Sequence, residues 1–168
     1  MNIGIFTDTY YPQISGVDTS VRVLKKGLAE RNHNVFVFTT TDPDVKEPEP
    51  DVLRLPSVPF PFYKQRRISV AYPPRLIWRT RKLGLDLIHT QTEFNMGLFG
   101  KACSKLLGIP MLHTYHTMYE DYTHLITRNK TFAPKIARKY SRMFCNGAAA
   151  VVTPAEKSRQ KLISYGVT

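Results

Sequence analysis

The sequence predicts one α/β domain, a doubly wound, mostly parallel sheet with helices on both faces. Three observations predict it. Short apolar runs rich in β-formers recur along the 168 residues, segments with apolar residues at helical spacing separate them, and such crossover helices imply parallel pairing. The length and the 42% hydrophobic content suit a single substantial core.

Taken in order, Ile3 to Phe6 is a short buried strand. A junction from Thr7 to Ser20, dense in hydroxyls and aromatics, follows it. Val17, Val21, Leu24 and Leu28 then mark a helix that Ser15 or Gly16 can cap. Val35 to Thr40 is a second strand. Residues 42–51, with Pro43, Pro48 and Pro50 among acids, read as an exposed turn region. Val52 to Leu55 is a short third strand, stopped by Pro56, Pro59 and Pro61. Residues 56–72 read as a long, irregular, aromatic and basic loop. Pro73 and Pro74 start a helix reaching about Leu83, Leu85 to Thr90 is the next strand, and Met96 to Leu107 is a helix ended by Gly108. Ile109 to Tyr115 is a strand, and a polar loop runs from His116 to about Lys130. A basic helix from Ala133 to Phe144, a sixth strand from Ala148 to Val152 and a helix from Pro154 to Tyr165 complete the pattern.

The charge is uneven. Lys and Arg number 24 against 13 Asp and Glu, a net +11 that favours phosphate-bearing partners such as nucleic acid or an anionic membrane. Fourteen of the 24 fall in two windows without an acid, Val52 to Leu85 and Tyr122 to Ala155. In the first, Lys64, Arg66, Arg67, Arg75, Arg79, Arg81 and Lys82 accompany Phe60, Phe62, Tyr63 and Trp78, the composition of an element lying in an anionic interface. Solvated helix faces look much the same. Nucleic acid would also reward this charge, yet no nucleic-acid-binding motif is present and no such partner is expected. Cys103 and Cys145 lie in predicted helices without metal-like spacing, which argues against a disulfide framework or a zinc site and fits a reduced, cytoplasmic setting. Met1 to Phe6 reads as a strand and not a signal peptide, and no apolar run approaches the roughly 20 residues that cross a bilayer. Membrane contact is therefore expected to be peripheral.

In a doubly wound sheet, ligands collect at the carboxyl ends of the strands. That rule gathers Asp8 to Gly16, His89 to Glu93 and His113 to Asp121 on one rim. The start of the first helix is a candidate anion site, because its backbone N–H groups and partial positive charge face outward. A generic strand-to-helix turn has the same look, and the full GxGxxG and GxxxxGK patterns are absent. His116, at or just past a strand end, is the candidate catalytic group. His113 is one step earlier and points into the sheet, and His89 is the partly buried end of its strand. Glu120 and Asp121 suit acid/base chemistry or sugar hydroxyls, and equally plain solvation.

Three stretches in order, Phe6-Thr7-Asp8-Thr9-Tyr10-Tyr11-Pro12-Gln13-Ile14-Ser15-Gly16-Val17, His89-Thr90-Gln91-Thr92-Glu93-Phe94 and His113-Thr114-Tyr115-His116-Thr117-Met118-Tyr119-Glu120-Asp121-Tyr122, resemble the retaining GT-B glycosyltransferases of family 4. Within that family the chain is similar to the bacterial 1,2-diacylglycerol 3-glucosyltransferases. Val152 to Ser158 fits the last strand and helix of the family's N-terminal domain. The resemblance implies that residues 1–168 are a Rossmann-like, acceptor-side domain, the N-terminal half of a GT-B fold. A C-terminal nucleotide-sugar-binding domain is expected beyond Thr168, and the isolated half is expected to be inactive. The implied reaction moves glucose from UDP-glucose to the 3-hydroxyl of diacylglycerol with retention, with no bound cofactor and no obligatory metal.

The resemblance also implies roles. His116 approaches the donor sugar, Gly16 and Ser15 lie at the donor diphosphate, and Asp8, Tyr10, Tyr11, Asp18, Glu120 and Asp121 lie near the acceptor. Asp18 stands where many members have Glu, and Ser15 where many have the first Gly of a pair. Lipid-acting members dock through a basic amphipathic helix, here the helix 73–83 with Arg75, Trp78, Arg79, Arg81 and Lys82, preceded by Lys64, Arg66 and Arg67. An anionic membrane surface at the inner face of the cell membrane and diacylglycerol are thus the implied partners. Another lipid or a soluble acceptor is the alternative within the family, and a basic nucleic-acid-binding module is the alternative outside it.

Overall fold

Side chains of the first strand, β1 (Asn2–Phe6), alternate between two layers. Ile3 and Ile5 join Val21, Val35 and Val37 in a core beneath the first helix, α1 (Gly16–Ala29), while Phe6 joins Phe38, Ile88 and Phe99 on the opposite side. Val35, Val37 and Phe38 belong to β2 (Asn34–Thr40), where the same alternation holds. The computed structural model describes residues 1–60, 63–69, 74–116 and 132–168. The remaining elements are β3 (Val52–Leu55), β4 (Ser57–Phe60), β5 (Tyr63–Ser69), α2 (Pro74–Lys82), β6 (Leu87–Thr90), α3 (Asn95–Leu107), β7 (Met111–Thr114), α4 (Phe132–Cys145), β8 (Ala150–Val152) and α5 (Glu156–Ser164).

Six strands form one parallel sheet in the order β3-β2-β1-β6-β7-β8, the doubly wound architecture that the sequence predicts. The strand order reverses between β1 and β6, so their carboxyl ends open a crevice. Helices α2, α3 and α4 all pack on the Phe6 side, contributing Leu76, Ile77, Met96, Phe99, Cys103, Tyr140 and Phe144 to its core. The Phe6 and Phe38 rings stack there, 4.2 Å between centroids. Cys103 and Cys145 are free and buried, and burial pushes their thiols up to about 11 and about 12 respectively.

Local signals set the helix ends. The Ser15 hydroxyl accepts from the Asp18 N–H at 3.1 Å and so caps α1, and Gly108 closes α3 in the left-handed conformation. Residues 56–72 depart from the irregular loop that the prolines suggest, because β4 and β5 pair as an antiparallel ribbon. Ser57 anchors it. Its N–H donates to Thr41 Oγ1 and its hydroxyl to the Thr41 carbonyl, while Arg67 donates to both the hydroxyl and the carbonyl of Ser57 at 2.9 Å. A two-stranded ribbon has open edges that tolerate proline, and the register shifts beside Pro59. Residues 61, 62 and 70–73, including Phe62 and Tyr72, lie outside the described residues.

Close approach explains one glycine. A Cβ on Gly97 would fall 1.7 Å from the Thr92 carbonyl oxygen, so α3 can start against the residues after β6 only without a side chain there. Gly97→Ala should cost about 3 kcal/mol, read from urea unfolding of the protein. Gly27→Ala, inside α1 and 3.7 Å from the tip of Arg31, should gain about 0.5–1 kcal/mol. A small loss at Gly97 would show that α3 shifts freely.

Burial, helped by the nearby His113 and His116, pushes His89 down to about 4 from its ordinary 6.5. The unfolded chain therefore takes up a proton below pH 6.5 that the folded chain refuses. Stability held above pH 6.5 should fall as the pH drops toward 4, by about 3 kcal/mol from this group. Unfolding curves across that window should flatten in His89→Gln relative to the wild type. Parallel curves would sink this assignment.

Candidate functional site

Beyond β6 the chain carries three polar residues in succession, Gln91, Thr92 and Glu93, only 2%, 8% and 1% exposed. Buried polar groups need partners, and each side chain finds one on a different part of the rim. Gln91 Oε1 lies 2.8 Å from His116 Nε2, just past β7. The Thr92 hydroxyl donates to Asp8 Oδ2 at 2.6 Å and accepts from the Asp8 N–H at 3.2 Å, just past β1. Glu93 Oε1 lies 3.1 Å from His113 Nε2 in β7. The Gln91 N–H also donates to the Phe6 carbonyl, and the Tyr140 hydroxyl of α4 donates to the Glu93 carbonyl.

These bonds set the chemistry of His116. A carboxamide oxygen only accepts, so Nε2 carries the proton and Nδ1 keeps its lone pair. Burial pushes the ring below its ordinary value, outweighing the opposite pull of Glu93, so the imidazole is neutral at neutral pH. A neutral ring held by one nitrogen offers the other to a ligand as an acceptor. The Gln91 amide nitrogen is also buried and has no hydrogen-bond partner among the described residues.

Asp8 is spent on the framework. Besides Thr92, it accepts from the Met96 N–H at 2.9 Å through Oδ1, placing a carboxylate at the start of α3, where the helix has no side-chain cap of its own. His113 is fully buried between Glu93 and Thr90, as its strand position predicts, and His89 lies 2.8 Å from the Thr114 hydroxyl.

The residues expected at the donor diphosphate sit at the start of α1. Ser15 is the cap, and Gly16 is exposed with nothing within 4 Å of where a Cβ would stand. Those expected at the acceptor divide. Tyr11 is 51% exposed, with the Arg22 guanidinium 5.8 Å from its ring centroid. Tyr10 is 5% exposed, its ring packed into the core under α1 and its hydroxyl 3.4 Å from Glu49 Oε2. Asp18 is 2% exposed. Burial raises its pKa, and Oδ1 has no hydrogen-bond partner among the described residues. Glu120 and Asp121 lie outside the described residues.

Of the residues expected at a membrane, Arg75, Trp78, Arg79, Arg81 and Lys82 are all exposed on α2, with Lys82 Nζ 3.6 Å from the Trp78 ring centroid. Arg67 is half-buried and committed to Ser57, and the side chains of Lys64 and Arg66 lie outside what the structure describes. Among the described residues no cluster of three His, Cys, Asp or Glu could hold a metal ion, and no helix is long and apolar enough to cross a membrane.

The sequence places Gln91, Thr92 and Glu93 on the rim but gives none of them a role, because a polar strand end looks solvated. The signal that could have found them is the Asn95-Met96-Gly97 helix start, where a glycine two positions in lets a helix cover what precedes it.

The chain is 45% identical over 168 residues to an alpha-monoglucosyldiacylglycerol synthase of Streptococcus pneumoniae, a match covering 99% of this chain and 38% of that relative. It is 40% identical to an alpha-monoglucosyldiacylglycerol synthase of Acholeplasma laidlawii, covering 97% of this chain and 43% of the relative. The chain thus spans about two fifths of the length of these relatives. Among solved structures, the UDP-GlcNAc 2-epimerase of Methanocaldococcus jannaschii superposes on 100% of this chain and 43% of its own, with a TM-score of 0.61 at 15% identity, a likeness of fold. The sequence profile of Glycosyltransferase Family 4 matches residues 14–168, every element after β1, and the chain belongs to that family.

Proposed function

We propose that this chain is the N-terminal, acceptor-side domain of a hexosyltransferase that moves glucose from UDP-glucose to the 3-hydroxyl of diacylglycerol with retention. The observation that carries this reading is the 45% identity, across 99% of the chain, to a protein named alpha-monoglucosyldiacylglycerol synthase. The lipid oxygen bonds to the anomeric carbon, the bond to the UDP phosphate oxygen breaks, and the hydroxyl proton passes to that departing phosphate. His116 serves the donor sugar as a neutral imidazole held by Gln91, and Gly16 at the start of α1 offers open backbone N–H groups to the diphosphate. Exposed Tyr11 is the acceptor-side group that the described rim leaves accessible. Glu120 and Asp121 join it in this reading. The nucleotide is held chiefly by a second domain, and the reading requires no resident metal.

The protein works at the inner face of the cell membrane, docked through α2. Arg75, Arg79, Arg81 and Lys82 face lipid phosphates there, and Trp78, 59% exposed, enters the headgroup region.

Product analysis of the full-length protein with UDP-glucose and dioleoylglycerol should give monoglucosyldiacylglycerol of unchanged anomeric configuration. Glucose appearing on a soluble acceptor instead would overturn the reading. His116→Ala should lower turnover by about a hundredfold or more with folding kept, and Gln91→Ala, which frees the ring, by up to about a hundredfold. Near-normal turnover in His116→Ala would remove it from the site. Binding to phosphatidylglycerol vesicles should weaken with salt and should be lost when Arg75, Arg79, Arg81 and Lys82 become Glu, and indifference to both would end the proposal for α2.

A further inference from the structure

The sheet's two faces carry charge differently. On the α1 face two lysines are paired with acids: Lys25 Nζ lies 3.1 Å from Glu49 and 2.8 Å from Asp51, and Lys26 lies 3.9 Å from Glu30. On the other face, α2, α3 and α4 hold four, two and four Lys and Arg, ten in all, and not one Asp or Glu. The three helices share one core, and Lys101 of α3 donates to the carbonyls of Met143 and Phe144 of α4, so their outer sides form one continuous layer.

Within that layer α4 repeats the chemistry of α2. Ile136 and Met143, seven residues apart on one stripe, are 53% and 59% exposed, and Lys135, Lys139 and Arg142 form an exposed basic stripe beside them. Tyr140 lies between the two apolar residues, and Phe94, 52% exposed, stacks on its ring, while Leu98 of α3 adds another exposed apolar side chain at 46%. An apolar stripe flanked by cations and free of acids is what an interfacial helix presents to anionic headgroups. The α4 stripe lies within the second acid-free window of the sequence, Tyr122 to Ala155.

We propose that α4 is a second interfacial element, so that the whole outer side of the α2–α3–α4 layer lies on the anionic bilayer, with Ile136 and Met143 among the headgroups and Lys135, Lys139 and Arg142 against lipid phosphates. This rests on the membrane reading of α2, and the test separates the two.

The full-length protein is titrated with vesicles of phosphatidylglycerol and phosphatidylcholine. Neutralising α4 with Lys135→Gln, Lys139→Gln and Arg142→Gln should weaken binding by about a hundredfold for three charges at the surface. These side chains are exposed, and an unchanged thermal melt checks the fold. Unchanged vesicle binding in this variant, alongside loss on charge reversal in α2, would overturn the proposal and leave the α2 reading standing, whereas indifference in both variants would overturn both. Independently, Met143→Cys labelled with an environment-sensitive fluorophore should blue-shift on phosphatidylglycerol vesicles, while Val23→Cys on α1 should not; Cys103 and Cys145 are buried and escape the label. Equal shifts at 143 and 23, or none at 143, would overturn the proposal, as would tighter binding of the layer to a single-stranded oligonucleotide than to vesicles.

Discussion

The rim depends on the buried polar segment Gln91-Thr92-Glu93. Hydrophobic packing is non-directional and would let the ends of parallel strands adjust past one another. Three side chains with fixed partners remove that freedom, because a buried polar group left unpaired costs about 1–3 kcal/mol. Through Thr92 the segment holds the end of β1, through Gln91 and Glu93 the end of β7, and through the Glu93 carbonyl it holds α4. His116 is thus positioned by a residue 25 places earlier in the chain, just past the neighbouring strand of the sheet.

That segment is buried only because a helix starts on top of it. Gly97 permits the approach, and Asp8 stabilises the helix start electrostatically by accepting the Met96 N–H. A longer side chain at 97 would lift α3 and expose Gln91 and Glu93 to water. The segment that holds His116 is therefore itself kept in place by backbone packing two elements away.

Much of the fold was legible because the six sheet strands are apolar runs and the helices keep apolar residues at helical spacing. The β4–β5 ribbon was not, since Pro56, Pro59 and Pro61 break the local strand pattern and the anchoring bonds of Ser57 and Arg67 are tertiary. At the site, the convergence of three strand ends followed from the parallel order, and the burial of His113 from its position in β7. Environment was the hidden part. Asp18 and Tyr10 are expected near the acceptor, yet Asp18 is buried and the Tyr10 ring joins Ile3, Ile5 and Val21. Residue type and position predict which group lies near a strand end, whereas what covers it is decided by segments distant in sequence.

The charge pattern and the rim are connected through α3. The ten cations of α2, α3 and α4 share those helices with no acid, and like charges repel over a screening length of about 10 Å at 0.1 M salt. A phosphate-rich surface relieves that repulsion without sequence acids. The N-terminus of α3 is bonded to Asp8 at the rim, and its outer side, with Leu98 and Lys105 exposed, belongs to the basic layer. One rigid helix therefore fixes the distance between the surface that would carry a lipid headgroup and the crevice that would receive its hydroxyl. If the layer rests on a bilayer, that helix sets how far the crevice stands from the lipid surface.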